Sequence, residues 1–405
     1  MAVGKDYFPE MHPVPGFRLG IASAGVKTSG KKDLVVMEMI DGSSIAGVFT
    51  TNAFCAAPVQ ISKENIYSTQ CRYLVINTGN ANAGTGDQGR KDAESICQAL
   101  AAITRVDERA VLPFSTGVIG EYLPVQKIIS ALPLAYASLS ATSWDEAARS
   151  ILTTDTRPKG ASVQLDFSGK KITITGITKG SGMIRPNMAT MLAYVATDAV
   201  IEQELLKNIL ASMTEHSFNR ITVDGDMSTN DCAILVATGA SGVDVSELPA
   251  KDMDQFLACL KELFIALAQQ VVQDGEGATK FVTIKVSAGK DEPECLKVAY
   301  AVAESPLVKT ALFASDPNWG RILAAIGYSG LSDLNVDGIE VYLDNILIAE
   351  KGGRAQSYLE SLGQEVMSKD FFSINIILNR GHAAEEIYTT DLSYDYIKIN
   401  AEYRS

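Results

Sequence analysis

Short β-strands joined by tight turns alternate with amphipathic helices along this sequence of 405 residues. The segment Phe167–Lys170 predicts a turn that links two strands, and Tyr342–Ile346 predicts another. Hairpins pair their strands antiparallel, which argues against a doubly wound sheet built from parallel strands alone. The sequence therefore predicts a mixed α/β fold.

Apolar periodicity places the individual elements. Runs rich in Val, Ile, Leu and Thr predict strands at Leu34–Met39, Tyr73–Asn77, Val163–Phe167, Lys171–Thr175, Cys232–Ala237, Phe281–Val286 and Ile339–Leu343. Apolar residues three or four positions apart predict helices at Asp92–Ile103, Trp144–Leu152, Glu202–His216, Met253–Gln273 and Ser357–Met367. In the third helix, Leu205, Ile209 and Met213 form a stripe that is typical of core packing.

Composition limits the partners and the compartment. The formal net charge is −13, and nucleic-acid binding needs a basic surface, so nucleic acid is not the expected partner. Six scattered cysteines without a CxxC pair predict reduced thiols in a cytoplasmic protein. No apolar run reaches the length of about 18 residues that a membrane span needs. Residues 1–18 also lack the apolar stretch of a secretory signal, so we expect a cytoplasmic protein without membrane contact.

Several common functional motifs are excluded. The glycine spacing of Gly42–Gly47 resembles a phosphate-binding loop, but Val48 and Phe49 stand where Lys and Ser or Thr are required. The three histidines are far apart, which is poor material for a His-based triad or metal cluster. Asp224–Asp231 carries three carboxylates without the glycine and glutamate of a calcium loop. We therefore expect an acidic turn there, no metal site and no resident cofactor.

Two further segments allow different interpretations. Asn77–Gly86 follows a strand and precedes a helix, so its small residues suit either an anion site at a helix N-terminus or, more simply, a tight loop. Lys179–Asp198 begins as a Gly/Pro-rich loop and continues as an apolar run that contains Thr190. Because threonine is common in strands, composition alone assigns Thr190 a structural role.

The residues of this second segment nevertheless resemble a known family. KGSGMIRPNMATMLAYVATDA, beginning at Lys179, is similar to the cleavage-site signature of the ornithine acetyltransferase family, also called glutamate N-acetyltransferase, of arginine biosynthesis. Further blocks resemble the family in the family's order, and they are Asn77–Gly86, Pro113–Gly120, Thr153–Thr156, Val223–Asp231, Asp274–Lys280, Asp316–Arg321 and Tyr394–Ser405. Arg185, Met227 and Cys232 depart from the family's pattern and leave pocket detail open.

The resemblance implies a fold and a processing event. The fold is an αββα-type sandwich with mixed sheets flanked by helices, shared with self-cleaving aminopeptidases. Cleavage of the Ala189–Thr190 bond gives an α chain of residues 1–189 and a β chain of residues 190–405, which stay together as two of each. Cleavage exposes the α-amino group of Thr190, whose pKa of about 7.7–8.0 suits a general base beside the hydroxyl nucleophile.

The resemblance also implies the roles of individual residues. Thr116 and Gly117 form the oxyanion hole for the nucleophile Thr190. Lys179 suits a substrate carboxylate, and Glu276 suits the side-chain ammonium of ornithine. The implied substrate-binding residues are Thr153, Lys179, Thr190, Glu276, Asn400 and Ser405.

The implied reaction is a ping-pong transfer of acetyl from N-acetylornithine to glutamate through acetyl-Thr190. Acetyl-CoA stays open as a further co-substrate. One alternative is a self-processing aminopeptidase or amidohydrolase that passes the acyl group to water. Another is a non-catalytic binding protein of the same fold, which predicts an uncleaved chain without turnover.

Overall fold

The computed structural model describes residues 2–167, 169–185 and 191–402. Within these ranges the strands are β1 Phe17–Ala22, β2 Leu34–Met39, β3 Ser44–Phe49, β4 Tyr73–Asn80, β5 Val111–Val118, β6 Lys159–Phe167, β7 Lys170–Lys179, β8 Leu192–Thr197, β9 Ile221–Thr222, β10 Cys232–Ala237, β11 Phe281–Gly289, β12 Glu340–Leu343, β13 Ile346–Glu350, β14 Gly353–Arg354, β15 Phe371–Ile377 and β16 Ala383–Thr390. The helices are α1 Ala57–Asn65, α2 Gly86–Thr104, α3 Val125–Ala137, α4 Trp144–Ser150, α5 Gln203–Glu215, α6 Ala250–Gln273, α7 Glu292–Ala303, α8 Pro306–Phe313, α9 Trp319–Gly327, α10 Glu360–Met367 and α11 Tyr394–Ala401.

Two mixed sheets form the centre of the molecule. The first has the strand order β1-β2-β4-β5, in which β4 and β5 are parallel and the other neighbours are antiparallel. The second has the order β3-β10-β8-β7-β6, in which β10 and β8 are parallel. The predicted mixed α/β class is confirmed.

Alternation along the strands explains why these sheets are layered. In β4, Leu74 and Ile76 face the core between the two sheets, whereas Tyr73 and Val75 face the helices α2 and α3 on the outside. Across the inner core, Phe114 of β5 meets Tyr194 of β8 edge to face, with ring centroids 5.5 Å apart. Helices α5 and α6 cover the outer face of the second sheet. The four layers are those of the expected αββα sandwich.

A third sheet follows in the C-terminal part of the chain. Its strand order is β14-β13-β12-β15-β11-β16-β9, and α7 and α9 contribute to its apolar core. The short strand β9 follows α5 of the sandwich in the sequence and pairs in parallel with β16 of the third sheet, which connects this sheet to the sandwich. The segment between α6 and β11, residues 274–280, runs from one unit to the other.

Both predicted hairpins are present. Phe167 pairs with Lys170 between β6 and β7, and Leu343 pairs with Ile346 between β12 and β13. Asp344 in the second turn has φ of 50°, a left-handed conformation that Asp tolerates.

Among the residues that the structure describes, one helix, α6, is long and apolar enough to cross a membrane by length and composition alone. Eight of its residues nevertheless lie buried against the sandwich, from Phe256 to Val272. Their spacing of three and four residues is that of a core helix.

Candidate active site

A cavity of about 290 Å³ lies where the ends of β5 and β7 meet the segment between α6 and β11. It is lined by Ala81, Thr116, Gly117, Val118, Ile119, Thr153, Thr154, Lys179, Gly182, Met183, Ser228, Thr229, Asn230, Glu276 and Asn400. We call it the main cavity. Polar groups from six separate parts of the sequence thus converge on one concave surface, which is the usual form of a small-molecule site.

Gly117 is required by the close approach of two strand ends. Its φ is 136°, and a Cβ atom at this position would lie 2.3 Å from the carbonyl carbon of Gly79 on the neighbouring strand β4. No other residue fits such a backbone contact without displacing the strand. The glycine therefore fixes the backbone beside Thr116 at the cavity wall.

Lys179 connects two of the hydroxyl groups in the cavity. Its Nζ donates to Thr153 Oγ1 at 2.9 Å and to Thr116 Oγ1 at 3.2 Å. Because the Thr116 oxygen accepts from this ammonium, its own O–H can donate toward a bound group. Burial lowers the pKa of Lys179, and the carboxylate of Asp155, 4.0 Å away, offsets part of this effect.

Lys179 lies next to a buried ion network that is formed by Asp155, Lys159 and Asp274. The side chains of Asp155, Lys159 and Asp274 are shielded from solvent, and Lys159 Nζ lies 2.6 Å from Asp155 Oδ1 and 2.5 Å from Asp274 Oδ2. Asp155 also accepts from the backbone N–H groups of Thr153 and Gly180, at 3.0 and 2.7 Å. Burial alone acts to raise the pKa of Asp155, but the ammonium groups of Lys159 and Lys179 hold it well below the usual range.

Glu276 supplies an acidic group at another wall of the main cavity. Its Oε2 accepts from Asn400 Nδ2 at 2.8 Å, and its backbone N–H donates to Ser181 O at 2.8 Å. Gly182 leaves room for the carboxylate, since a Cβ there would lie 2.4 Å from Glu276 Cδ. The C-terminal helix α11 thereby carries Asn400 to the site.

The acidic turn 224–231 has two separate structural functions. Asp224 accepts from the N–H groups of Met183 and Ile184, at 2.7 and 2.8 Å. Asn230 Nδ2 donates to Ser115 O at 2.9 Å and to Ala81 O at 2.6 Å, which holds the end of β5. Within the described ranges, no group of three His, Cys, Asp or Glu residues is arranged to hold a metal ion.

Asp231 is a further buried acid beside the site. Burial raises its pKa well above the usual range, and hydrogen bonds from Ser228 and the charge of Lys179 offset this only in part. Its Oδ2 has no hydrogen-bond partner among the residues described. Asp231 ends the segment that the sequence predicted as an acidic turn, without a role in the site.

The loop 77–86 is held by its own side chains. Asn82 N donates to Asn80 Oδ1 at 2.7 Å, and Thr85 Oγ1 donates to Asn82 Oδ1 at 2.8 Å. Asn82 Nδ2 closes the loop on Gly89 O at 2.8 Å. These bonds favour the interpretation as a tight loop.

Most of the predicted site residues meet in the main cavity. Its lining includes Thr116, Gly117, Thr153, Lys179, Glu276 and Asn400. Ala189, Thr190 and Ser405 lie outside the described residues. Arg185, which departs from the family pattern, is not part of the lining, and its guanidinium pairs with Glu304 at 2.7 Å.

Sequence reasoning missed Asp155, Lys159 and Asn230. Asp155 lies inside the block Thr153–Thr156 that carried the resemblance, which is the one signal that pointed toward it. Lys159 begins a strand and has the sequence context of an ordinary surface lysine.

The sequence is similar to known proteins of one family over nearly its whole length. A model of the ArgJ family matches residues 18–405. The chain is 56% identical to the arginine biosynthesis bifunctional protein ArgJ of Pseudomonas syringae pv. tomato, and all of both chains is covered. The corresponding protein of Pseudomonas fluorescens is 54% identical, again with full coverage of both chains.

Solved structures are similar as well. A crystal structure of the arginine biosynthesis bifunctional protein ArgJ from Bacillus halodurans is 36% identical with a TM-score of 0.50, and the match covers 52% of this chain and 99% of that chain. A structure of ornithine acetyltransferase complexed with ornithine from Mycobacterium tuberculosis is 32% identical with a TM-score of 0.41, covering 44% of this chain and 93% of that one.

Proposed function

The chain belongs to the ArgJ family, and on this premise we propose that it is an acetyltransferase of arginine biosynthesis that moves acetyl from N-acetylornithine to glutamate. The observation that carries the proposal is the convergence of Thr116, Gly117, Lys179 and Glu276 on one cavity. Thr116 and Gly117 provide hydrogen-bond donors for an oxyanion. Lys179 provides a cation for the substrate carboxylate, and Glu276 provides a carboxylate for the substrate ammonium.

The chemistry follows a ping-pong scheme. The hydroxyl of Thr190 attacks the acetyl carbonyl, and its own α-amino group, free after cleavage, takes the proton. The Thr116 hydroxyl and the Gly117 N–H donate to the oxyanion, and Lys179 strengthens the first of these donors through its bond to Thr116 Oγ1. Ornithine leaves with a proton, and the amine of glutamate then takes the acetyl group from Thr190 through a second tetrahedral intermediate.

Substrate contacts divide by charge. Lys179 binds the α-carboxylate that both amino acids carry, with the hydroxyl of Thr153 beside it. Glu276, held by Asn400, binds the side-chain ammonium of ornithine. Ser405 completes the set of contacts from the C-terminus. No resident cofactor takes part, and acetyl-CoA serves as a second acetyl donor.

Self-cleavage before Thr190 produces the α chain 1–189 and the β chain 190–405, assembled as two of each in the cytoplasm. The ion network supports the association of one α chain with one β chain, because Asp155 and Lys159 belong to the first chain and Asp274 to the second. The Bacillus halodurans match supports the division into two chains, because 99% of that chain corresponds to only 52% of this one.

Intact-mass measurement tests the proposal. We expect two fragments of about 20 and 23 kDa from the 43.3 kDa chain, the heavier one beginning at Thr190 and gaining one acetyl group from N-acetylornithine. Adding glutamate should remove this acetyl group as N-acetylglutamate. Free acetate in place of N-acetylglutamate indicates the hydrolase alternative, and a single unacetylated 43.3 kDa species contradicts the mechanism.

A Glu276→Gln variant tests the charge assignment within the main cavity. The amide keeps the size of the side chain but loses the charge that faces the ornithine ammonium. We expect KM for N-acetylornithine to rise about tenfold or more, since a charge-assisted contact is worth about 1.5–3 kcal/mol. KM for glutamate should stay the same or fall. An equal rise in both constants contradicts the assignment.

A further inference from the structure

A second cavity of about 180 Å³ adjoins the main cavity. The two share the lining residues Gly117, Val118, Thr153 and Thr154. Consecutive residues of α11 also line them, since Ile399 faces the second cavity and Asn400 the first. A bound molecule in one cavity therefore lies next to the other.

The second cavity has a cationic rim. Lys27 and Lys31, both on the loop between β1 and β2, line it together with Asp33. The Asp33 carboxylate is already engaged, because it accepts from the N–H groups of Ala24 and Val26 at 2.6 Å each. The aspartate thus anchors the loop that carries Lys27, and the charged lining residues, two lysines and one aspartate, leave a formal charge of +1. We call it the lysine cavity.

Lys31 is directed toward the wall that the cavities share. Its Nζ donates to Leu152 O at 3.0 Å, directly beside Thr153. An ammonium has three N–H donors, so this bond leaves donors for a ligand. The ammonium thus lies at the boundary between the two cavities, on a side chain that is exposed to solvent.

The two amino acids of the proposed reaction need different surroundings for their side chains. Ornithine ends in an ammonium, which suits Glu276 in the main cavity. Glutamate ends in a carboxylate, which Glu276 repels. Both must nevertheless present the same α-amino nitrogen to the same acetyl group. The side-chain carboxylate of glutamate therefore needs a cationic space next to the main cavity.

We propose that the lysine cavity is an anion subsite that takes the side-chain carboxylate of the acceptor glutamate, bound by Lys27 and Lys31. The proposal rests on the proposed function and adds to it the origin of acceptor specificity. Glu276 selects the cationic side chain of the donor, and the two lysines select the anionic side chain of the acceptor.

A Lys27→Gln/Lys31→Gln double variant separates the two half-reactions. Acetylation of the enzyme by N-acetylornithine should keep its KM within about twofold, whereas KM for glutamate in the discharge of the acetyl group should rise about tenfold, the equivalent of about 1.4 kcal/mol. The variant should also lose the preference for glutamate over glutamine as acceptor. A Lys32→Gln variant is the matched control, because Lys32 is on the same loop but pairs with Glu146 and does not line the cavity.

An unchanged KM for glutamate in the double variant overturns the proposal. A rise in KM for acetyl-CoA, with glutamate unaffected, also overturns it and assigns the lysines to a phosphate group instead. Failure of the proposed function is a different result, since the parent protein itself then forms no acetyl-enzyme.

Discussion

A Thr190→Ala variant should remain a single chain of 43.3 kDa. Its rate of acetyl transfer should be lower than that of the parent protein by a factor on the order of 10⁴ or more. The substitution removes the hydroxyl that attacks both the Ala189–Thr190 bond and the acetyl carbonyl. Because the chain then stays uncleaved, the α-amino base is lost as well. Intact mass reports on cleavage, and N-acetylglutamate formation reports on transfer.

A Thr190→Ser variant is the control for this prediction. Serine keeps the hydroxyl and, after cleavage, the adjacent amine, so it should be processed and should retain part of the activity. Unchanged thermal unfolding of the alanine variant separates lost chemistry from lost folding. An uncleaved alanine variant with full transferase activity contradicts the proposed nucleophile.

Periodicity was sufficient for the elements whose apolar residues repeat strongly. The predicted strands Leu34–Met39 and Cys232–Ala237 have the observed bounds. The helix predicted at Asp92–Ile103 is longer in the structure, where it spans Gly86–Thr104. Its first turns were not predicted because they are rich in Gly and polar residues and lack an apolar stripe. The first half of strand β16, Ala383–Glu386, consists of residues that are depleted in strands, so its assignment depends on pairing with β11.

The site was predictable only in part, for a different reason. Lys179 and Thr116 are 63 positions apart, and a contact at that separation has no local sequence signature. The resemblance to a family supplied the residues that line the cavity. It did not supply the ion network of Asp155, Lys159 and Asp274 that contacts them. Charged residues are mostly exposed in proteins, so the sequence alone gives no sign that these three side chains are buried together.

An Asp155→Asn variant tests whether that network holds the site. Asparagine leaves the buried ammonium groups of Lys159 and Lys179 without one of their charge partners. We expect the free energy of unfolding at pH 7, measured by urea denaturation in the Thr190→Ala background, to fall by about 3–5 kcal/mol. In the processed enzyme, loss of this carboxylate lowers the pKa of Lys179 further, so the alkaline limb of the activity profile should move to lower pH.

The pH dependence identifies the charge as the cause. The pKa of Asp155 is lower in the folded than in the unfolded chain, so its stabilising contribution is present above the unfolded value of about 3.9 and is lost as the pH falls below it. The difference between parent and variant should therefore be full at pH 7 and shrink below about pH 4. Asp145→Asn is the matched control, because Asp145 pairs with Arg149 at the same i,i+4 spacing on the exposed surface, and its loss should leave stability nearly unchanged. A stability difference that is the same at pH 3 and pH 7 would mean that Asp155 acts through packing and backbone hydrogen bonds, and not through its charge.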